Sequence, residues 1–196
     1  MGAIAWVLVY AFLTHRLLMD DAWTGLTYAR NLWEGAGYVF FPGQPPVEGT
    51  TNLVWTLALV PLGGLLSFPV AAKVLGLACV GGTLLLTRRL AAQMELPGWP
   101  WVPVWGLLVC GDFLYFSLSG METAGLALVL LAMAVWAQQA WWLGVLAFLL
   151  HPEAVLVWPL AALGRGREGW RWLWESLGFG GLLALVAIAR QVYFGF

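Results

Sequence analysis

Carboxylates are scarce in this sequence, and their positions are informative. Of ten Asp and Glu, Asp20 and Asp21 stand side by side where the first apolar run ends, Glu122 follows Gly120-Met121, and Glu153 follows His151-Pro152. Such groups can cap a helix, accept a proton or hold a hard cation through oxygen. Asp112 lies inside an apolar segment, where an ionisable group costs on the order of 3 kcal/mol and by default points to function. An acidic pair ahead of a helix is also an ordinary cap, so capping and chemistry stay open as readings of Asp20-Asp21. The histidines, His15 and His151, are far apart, and Cys79 and Cys110 sit singly in apolar runs. No resident metal or other cofactor is therefore expected, although Asp20 or Asp21 with Glu122 leaves room for a divalent cation. No nucleotide-phosphate loop or nucleophile elbow occurs.

The elements that must position these groups are set by hydrophobicity. The chain is 62% hydrophobic and 10% charged, against roughly 25% charged in an ordinary soluble domain. A domain of 196 residues cannot hide so much apolar surface from water, whereas a bilayer can. The net charge of −1 offers no basic surface for nucleic acid. Fourteen Trp suit a membrane interface, where the ring is half apolar and its N–H stays wet. Met1 to Met19 lacks a basic start and a small-residue cleavage site, and reads as a retained span.

Apolar segments fall at 2–19, 52–67, 70–87, 101–118, 123–138, 141–163 and 172–194, each near the ~20 residues that cross a bilayer. The expectation is an all-α, polytopic transmembrane helical bundle of about seven spans, some short or broken. Five of the nine Lys and Arg lie in two short stretches, Arg88-Arg89 and Arg165, Arg167, Arg171, which the positive-inside rule puts in the cytoplasm as topology anchors. Parity then requires 141–163 to be a hairpin broken at His151-Pro152-Glu153, since proline removes a backbone donor and clashes with the preceding turn. It equally suggests that 52–67 does not cross fully but is re-entrant or interfacial, with 70–87 the second span. Phe196 ends outside. In this arrangement Asp20, Asp21, Glu34, Glu48, Glu122 and Glu153, six of the ten acids, share the non-cytoplasmic face. The glycine pairs Gly63-Gly64 and Gly81-Gly82 read as close helix packing.

Residues 20–51 form the longest polar stretch and the first external loop. Asp20-Asp21 reads as a helix start with carboxylates at the positive dipole end. Trp23, Leu26, Ala29, Leu32 and Trp33 follow at helical spacing, as in an amphipathic helix on a membrane surface. Gly35 and Gly37 end it, and Phe41-Pro42-Gly43 and Gln44-Pro45-Pro46 are turn chemistry.

The ordered run Asp20-Asp21-Ala22-Trp23, Tyr28-Ala29-Arg30-Asn31-Leu32, Gly35-Ala36-Gly37, Phe41-Pro42-Gly43 and Val47-Glu48-Gly49-Thr50-Thr51-Asn52-Leu53-Val54-Trp55 resembles the GT-C superfamily. Within it, the run is similar to bacterial polyprenyl-phosphate-sugar transferases related to mycobacterial terminal arabinofuranosyltransferases. Ser119-Gly120-Met121-Glu122-Thr123 is similar to that family's Gly-x-Glu-Thr element, and His151-Pro152-Glu153-Ala154 stands where relatives carry Arg-Pro-Glu-Gly. The resemblance covers the N-terminal module of proteins that usually run to several hundred residues, with 1–196 as one such module. It implies an inverting glycosyltransferase of the cytoplasmic (inner) membrane, its active site facing outward. The donor would be a polyprenyl-phosphate-linked sugar and the acceptor a hydroxyl on a glycan, lipid or protein. Asp20 or Asp21 would be the general base. Arg30, Lys73 and His151 would act on the lipid phosphate by electrostatics, with Glu48, Glu122 and Glu153 as further binding residues. The alternative implied by a short module is a non-catalytic lipid-linked-sugar binding or transport unit, or a split subunit needing a second chain. A purely structural membrane protein with capped helices is the third reading.

Overall fold

The computed structural model describes residues 2–94, 99–136, 141–164 and 170–195, and every regular element among them is helical. In chain order these are α1 (Gly2–Leu13), α2 (Asp20–Trp33), α3 (Leu53–Leu65), α4 (Phe68–Gln93), α5 (Val102–Val109), α6 (Gly111–Ser117), α7 (Thr123–Val135) and α8 (Trp141–Leu150). A 3₁₀ turn (Pro152–Leu156), α9 (Val157–Gly164) and α10 (Arg171–Phe194) follow. Arg165, Arg167, Phe196 and the last two residues of the expected 123–138 span lie outside the described residues.

α4 is the mast of the bundle, roughly 39 Å long at 1.5 Å per residue. Its neighbours can be ranked by depth along it. Ala72 and Lys73 lie level with Gly120 and Leu118, Gly76 with Ser117, Gly82 with Leu128, and Arg89 with Trp136. α7 therefore runs parallel to α4, while α5 and α6 run the other way, since Arg88 sits over Trp101 at 4.9 Å. Gly76 allows the closest of these approaches: a Cβ there would meet the Ser117 carbonyl oxygen at 2.5 Å. Two apolar clusters result. One joins α2, α3, α4, α7 and α8 with Trp158 and Phe179, and the other gathers Val7, Val80, Val104, Leu108, Leu114 and Leu118.

The bundle has two ends. Arg88, Arg89, Trp101 and Trp136 meet at one, and the turns holding Met19, Asn52, Phe68 and Gly120 gather at the other. Both ends of α3 belong to the second, the loop end. Asn52 at its start reaches Glu122, and Gly63-Gly64 near its finish pack on Phe68 and Trp33. The 52–67 segment thus lies beside α2 and does not traverse the bundle, and 70–87 is the traverse that follows it.

The 101–118 segment is not one helix. At Cys110 the backbone turns extended, and the freed Leu108 carbonyl accepts from the Trp6 indole at 3.0 Å. A helix break in an apolar segment leaves a carbonyl in need of such a donor. The 141–163 segment folds back as its proline requires. Leu150 packs on Gly125, and after the His151-Pro152 break Trp158 returns to Gly144.

Two helices, Phe68–Gln93 and Leu173–Phe194, are long and apolar enough to cross a membrane. Only 6% of the α10 window is buried inside the protein, leaving Leu173, Leu177, Leu185, Ile188 and Val192 exposed. Water would charge about 25 cal/mol for each Å² of that face, so a hydrocarbon surround is its natural environment.

Candidate functional site

The site begins with α2. Met19 precedes the helix in extended geometry, and its N–H donates to the Ser119 carbonyl at 3.1 Å, which ties the start of α2 to the α6–α7 turn. Asp20 and Asp21 occupy the first helical turn with exposed carboxylates. Neither bonds an N-terminal N–H as a cap, and among the described residues neither side chain is hydrogen-bonded or ion-paired. They contribute negative charge where the helix dipole is positive. The buried face of α2 carries Ala22, Gly25, Leu26, Tyr28, Ala29 and Asn31, and Trp23 and Trp33 are exposed.

Tyr28 and Asn31 shape the loop that follows. Asn31 Nδ2 donates to the carbonyls of Val39 (2.8 Å) and Phe40 (2.9 Å). The Tyr28 hydroxyl donates to the Val47 carbonyl and accepts from the Gly49 N–H at 2.9 Å. From α10, the Tyr193 hydroxyl accepts from the Tyr38 N–H at 3.1 Å and donates to the Tyr38 carbonyl at 3.2 Å, and Arg190 pairs with Glu48. The loop is clamped from two helices. Burial pushes the Tyr38 hydroxyl up to about 12, outweighing the Thr56 hydroxyl and Arg190 charge beside it.

The centre of the site is amide chemistry. Thr50 and Thr56 hydroxyls each donate to Asn52 Oδ1 at 2.8 Å. That fixes the Asn52 amide so that Nδ2 donates to Glu122 Oε2, also at 2.8 Å. The Trp55 indole donates to the Gly120 carbonyl at 3.1 Å. Asn52, Thr56 and Glu122 are all buried. A buried carboxylate is tolerated only when donors meet it, and here a neutral, oriented amide does so. Gly120 holds φ +91°, and a Cβ would meet Leu18 at 2.5 Å, so the turn presenting Glu122 requires glycine.

The other expected residues have distinct placements. Lys73 Nζ donates to the carbonyls of Thr14 (3.0 Å), Leu17 and Leu118. All three ammonium protons are thereby used at the chain ends following α1 and α6, where helix dipoles favour a cation. Lys73 is thus committed to backbone, a reason it is a strut rather than a phosphate ligand in this conformation. Arg30 is exposed in the last turn of α2, 5.8 Å over the Phe68 ring. His151 Nδ1 pairs with Glu153, and Glu153 is largely exposed. Asp112, in the first turn of α6, is exposed. The structure therefore brings Asp20, Asp21, Glu48 and Glu122 to one end of the bundle, with only Glu122 and Glu48 inside a network. His151 and Glu153 form a pair of their own.

Arg190, paired with Glu48, is the residue of the candidate site that the sequence reading did not single out. Its signal was available: a lone cation within the apolar 172–194 segment is an intramembrane ionisable group. Tyr193, one turn on, had no such signal. Among the described residues, no group of three or more His, Cys, Asp or Glu gathers to hold a metal ion. Comparison with protein-family models, curated proteins and solved structures found no match to this chain.

Proposed function

We propose that the chain acts in sugar transfer from a polyprenyl-phosphate donor to an acceptor hydroxyl on the non-cytoplasmic face of the cytoplasmic membrane. The loop end of the bundle faces outward and the Arg88-Arg89 end faces the cytoplasm. Asp20 or Asp21 takes the acceptor proton as its oxygen attacks the anomeric carbon, the bond to the lipid phosphate breaks, and the phosphate leaves with the electron pair, inverting the centre. The supporting observation is the Asn52–Glu122 hydrogen bond, which joins the two motif-bearing stretches at the end where Asp20-Asp21 is displayed. Separate Asp20→Asn and Asp21→Asn variants, assayed for transfer from a polyprenyl-phosphate sugar, test it. Wild-type turnover in both sinks the catalytic assignment.

A second reading is a non-catalytic lipid-linked-sugar binding or transport unit, or a subunit acting with a partner chain. The lack of side-chain partners around Asp20 and Asp21 among the described residues favours it. Donor binding without transfer by the purified protein, with transfer restored by a co-purifying chain, would favour this reading over the first.

A further inference from the structure

The inner half of α10 packs on α8, with Gly178 against Trp141 and Phe179 against Gly144. Its outer half returns to the rest of the protein through Arg190–Glu48 and Tyr193–Tyr38. Between these attachments and the α2–α3 pair lies an open groove of about 450 Å³. Leu32, Leu53, Leu57, Val186 and Ala189 make its walls apolar, and among its described lining residues Arg190 carries the one charge. A smaller cleft of about 40 Å³ adjoins it, sharing Tyr38, Leu53 and Arg190 and adding the polar groups of Glu48, Thr50 and Thr51.

We infer that the groove takes the apolar chain of a lipid monophosphate, and that Arg190 exchanges Glu48 for the phosphate when the lipid enters. Hydrocarbon walls select a long apolar chain, and a guanidinium where the walls turn polar selects an anionic head, which it can grip through two parallel N–H bonds. Glu48 is the competitor already seated there. Its departure need not unfold the loop, because Tyr28 still holds Val47 and Gly49 on either side. Glu48 is therefore a gate: it neutralises Arg190 in the empty groove and is repelled by the phosphate that replaces it. The inference rests on the proposed function in taking the ligand to be the lipid carrier, so binding is measured without transfer and each reading can fail alone.

The test uses the full chain in phosphatidylcholine nanodiscs, titrated with a fluorescent polyprenyl monophosphate, with the matching polyprenol and inorganic phosphate as controls. Arg190→Gln weakens binding about tenfold or more, a loss of one charge-assisted contact. Glu48→Gln tightens it severalfold by removing the competitor. Leu57→Trp, which fills the groove and leaves the ion pair intact, weakens binding of the lipid, and Gly81→Ala, on α4 away from the groove, binds as wild type. Opposite signs for Arg190→Gln and Glu48→Gln are the signature, since a merely structural ion pair would make both variants worse. Unchanged binding by Arg190→Gln, weaker or unchanged binding by Glu48→Gln, or polyprenol binding as well as its phosphate overturns the inference. Should Arg190→Gln not fold, Glu48→Gln and Leu57→Trp decide it. Transfer activity that survives both aspartate substitutions would sink the assignment of the base alone, and lipid-phosphate binding by a wild-type protein that transfers no sugar would count against the transferase reading alone.

Discussion

Asn52 and Glu122, 70 positions apart, share a buried hydrogen bond of 2.8 Å whose direction is set by two threonine hydroxyls on the far side of the amide. It is the closure between the first loop and the α6–α7 turn. Asn52→Asp places a second carboxylate against Glu122 and removes its donor. The expected cost is about 3 kcal/mol, from an unpaired buried charge facing a like one. Thermal unfolding in detergent checks it, and Asn52→Gln, too long for the same geometry, should fall between this variant and wild type.

The aspartates separate chemistry from stability. Being exposed and outside any network, Asp20→Asn and Asp21→Asn should each leave stability within about 0.5 kcal/mol of wild type. The proposed function predicts that one of them, as the general base, lowers transfer by about 10² to 10⁴ fold when replaced. Parallel melting curves and transfer assays read the two quantities, and a large loss of stability would mark a structural role.

Lys73 is predicted to behave as a strut. Lys73→Met leaves the carbonyls of Thr14, Leu17 and Leu118 without their donor, costing about 1 kcal/mol for half-buried groups left unmet. Limited proteolysis at residues 14–19 should speed up as the end of α1 loosens. An unchanged digestion pattern would contradict the strut.

Gly120→Ala combines a left-handed backbone with a collision at Leu18. Destabilisation of about 1 to 3 kcal/mol is expected, seen as a lowered unfolding midpoint, while Gly81→Ala, whose Cβ meets open space, should be neutral or stabilising.

Tyr38 carries a pH signature. Its folded hydroxyl titrates near 12 rather than 10, because burial disfavours the phenolate. A raised value means the folded state keeps a proton that the unfolded state loses. The contribution is complete below pH 10 and declines as pH rises through the folded value near 12. Tyr38→Phe should flatten the stability profile across that window, and titration of tyrosinate absorbance should show one fewer late-ionising group.

Most of the helices, and the break at Pro152, were legible from composition and local chemistry. Apolar runs, the proline at 152 and the acidic start at Asp20 act over one or two turns, so α2, α4 and the α8–α9 hairpin follow from neighbours in sequence. The break at Cys110 was not legible, because what stabilises it is the Trp6 indole, 102 residues from its acceptor Leu108. Parity between the arginine stretches implied that 52–67 stays on one side, and the contacts of Asn52 and Gly63 supply the geometry.

The candidate site divides in the same way. From the sequence alone, the chain is committed to an apolar helical bundle with its carboxylates concentrated in a few turns, since hydrophobic period and turn chemistry are local properties. Only the tertiary structure decided which of those groups meet. It joined Glu122 to Asn52, turned Glu48 to Arg190, tied Lys73 to three carbonyls and left Asp20 and Asp21 exposed. Such pairings depend on the depth at which helices pack along α4. That depth is fixed by close contacts such as Gly76 on Ser117, between residues that no local spacing relates.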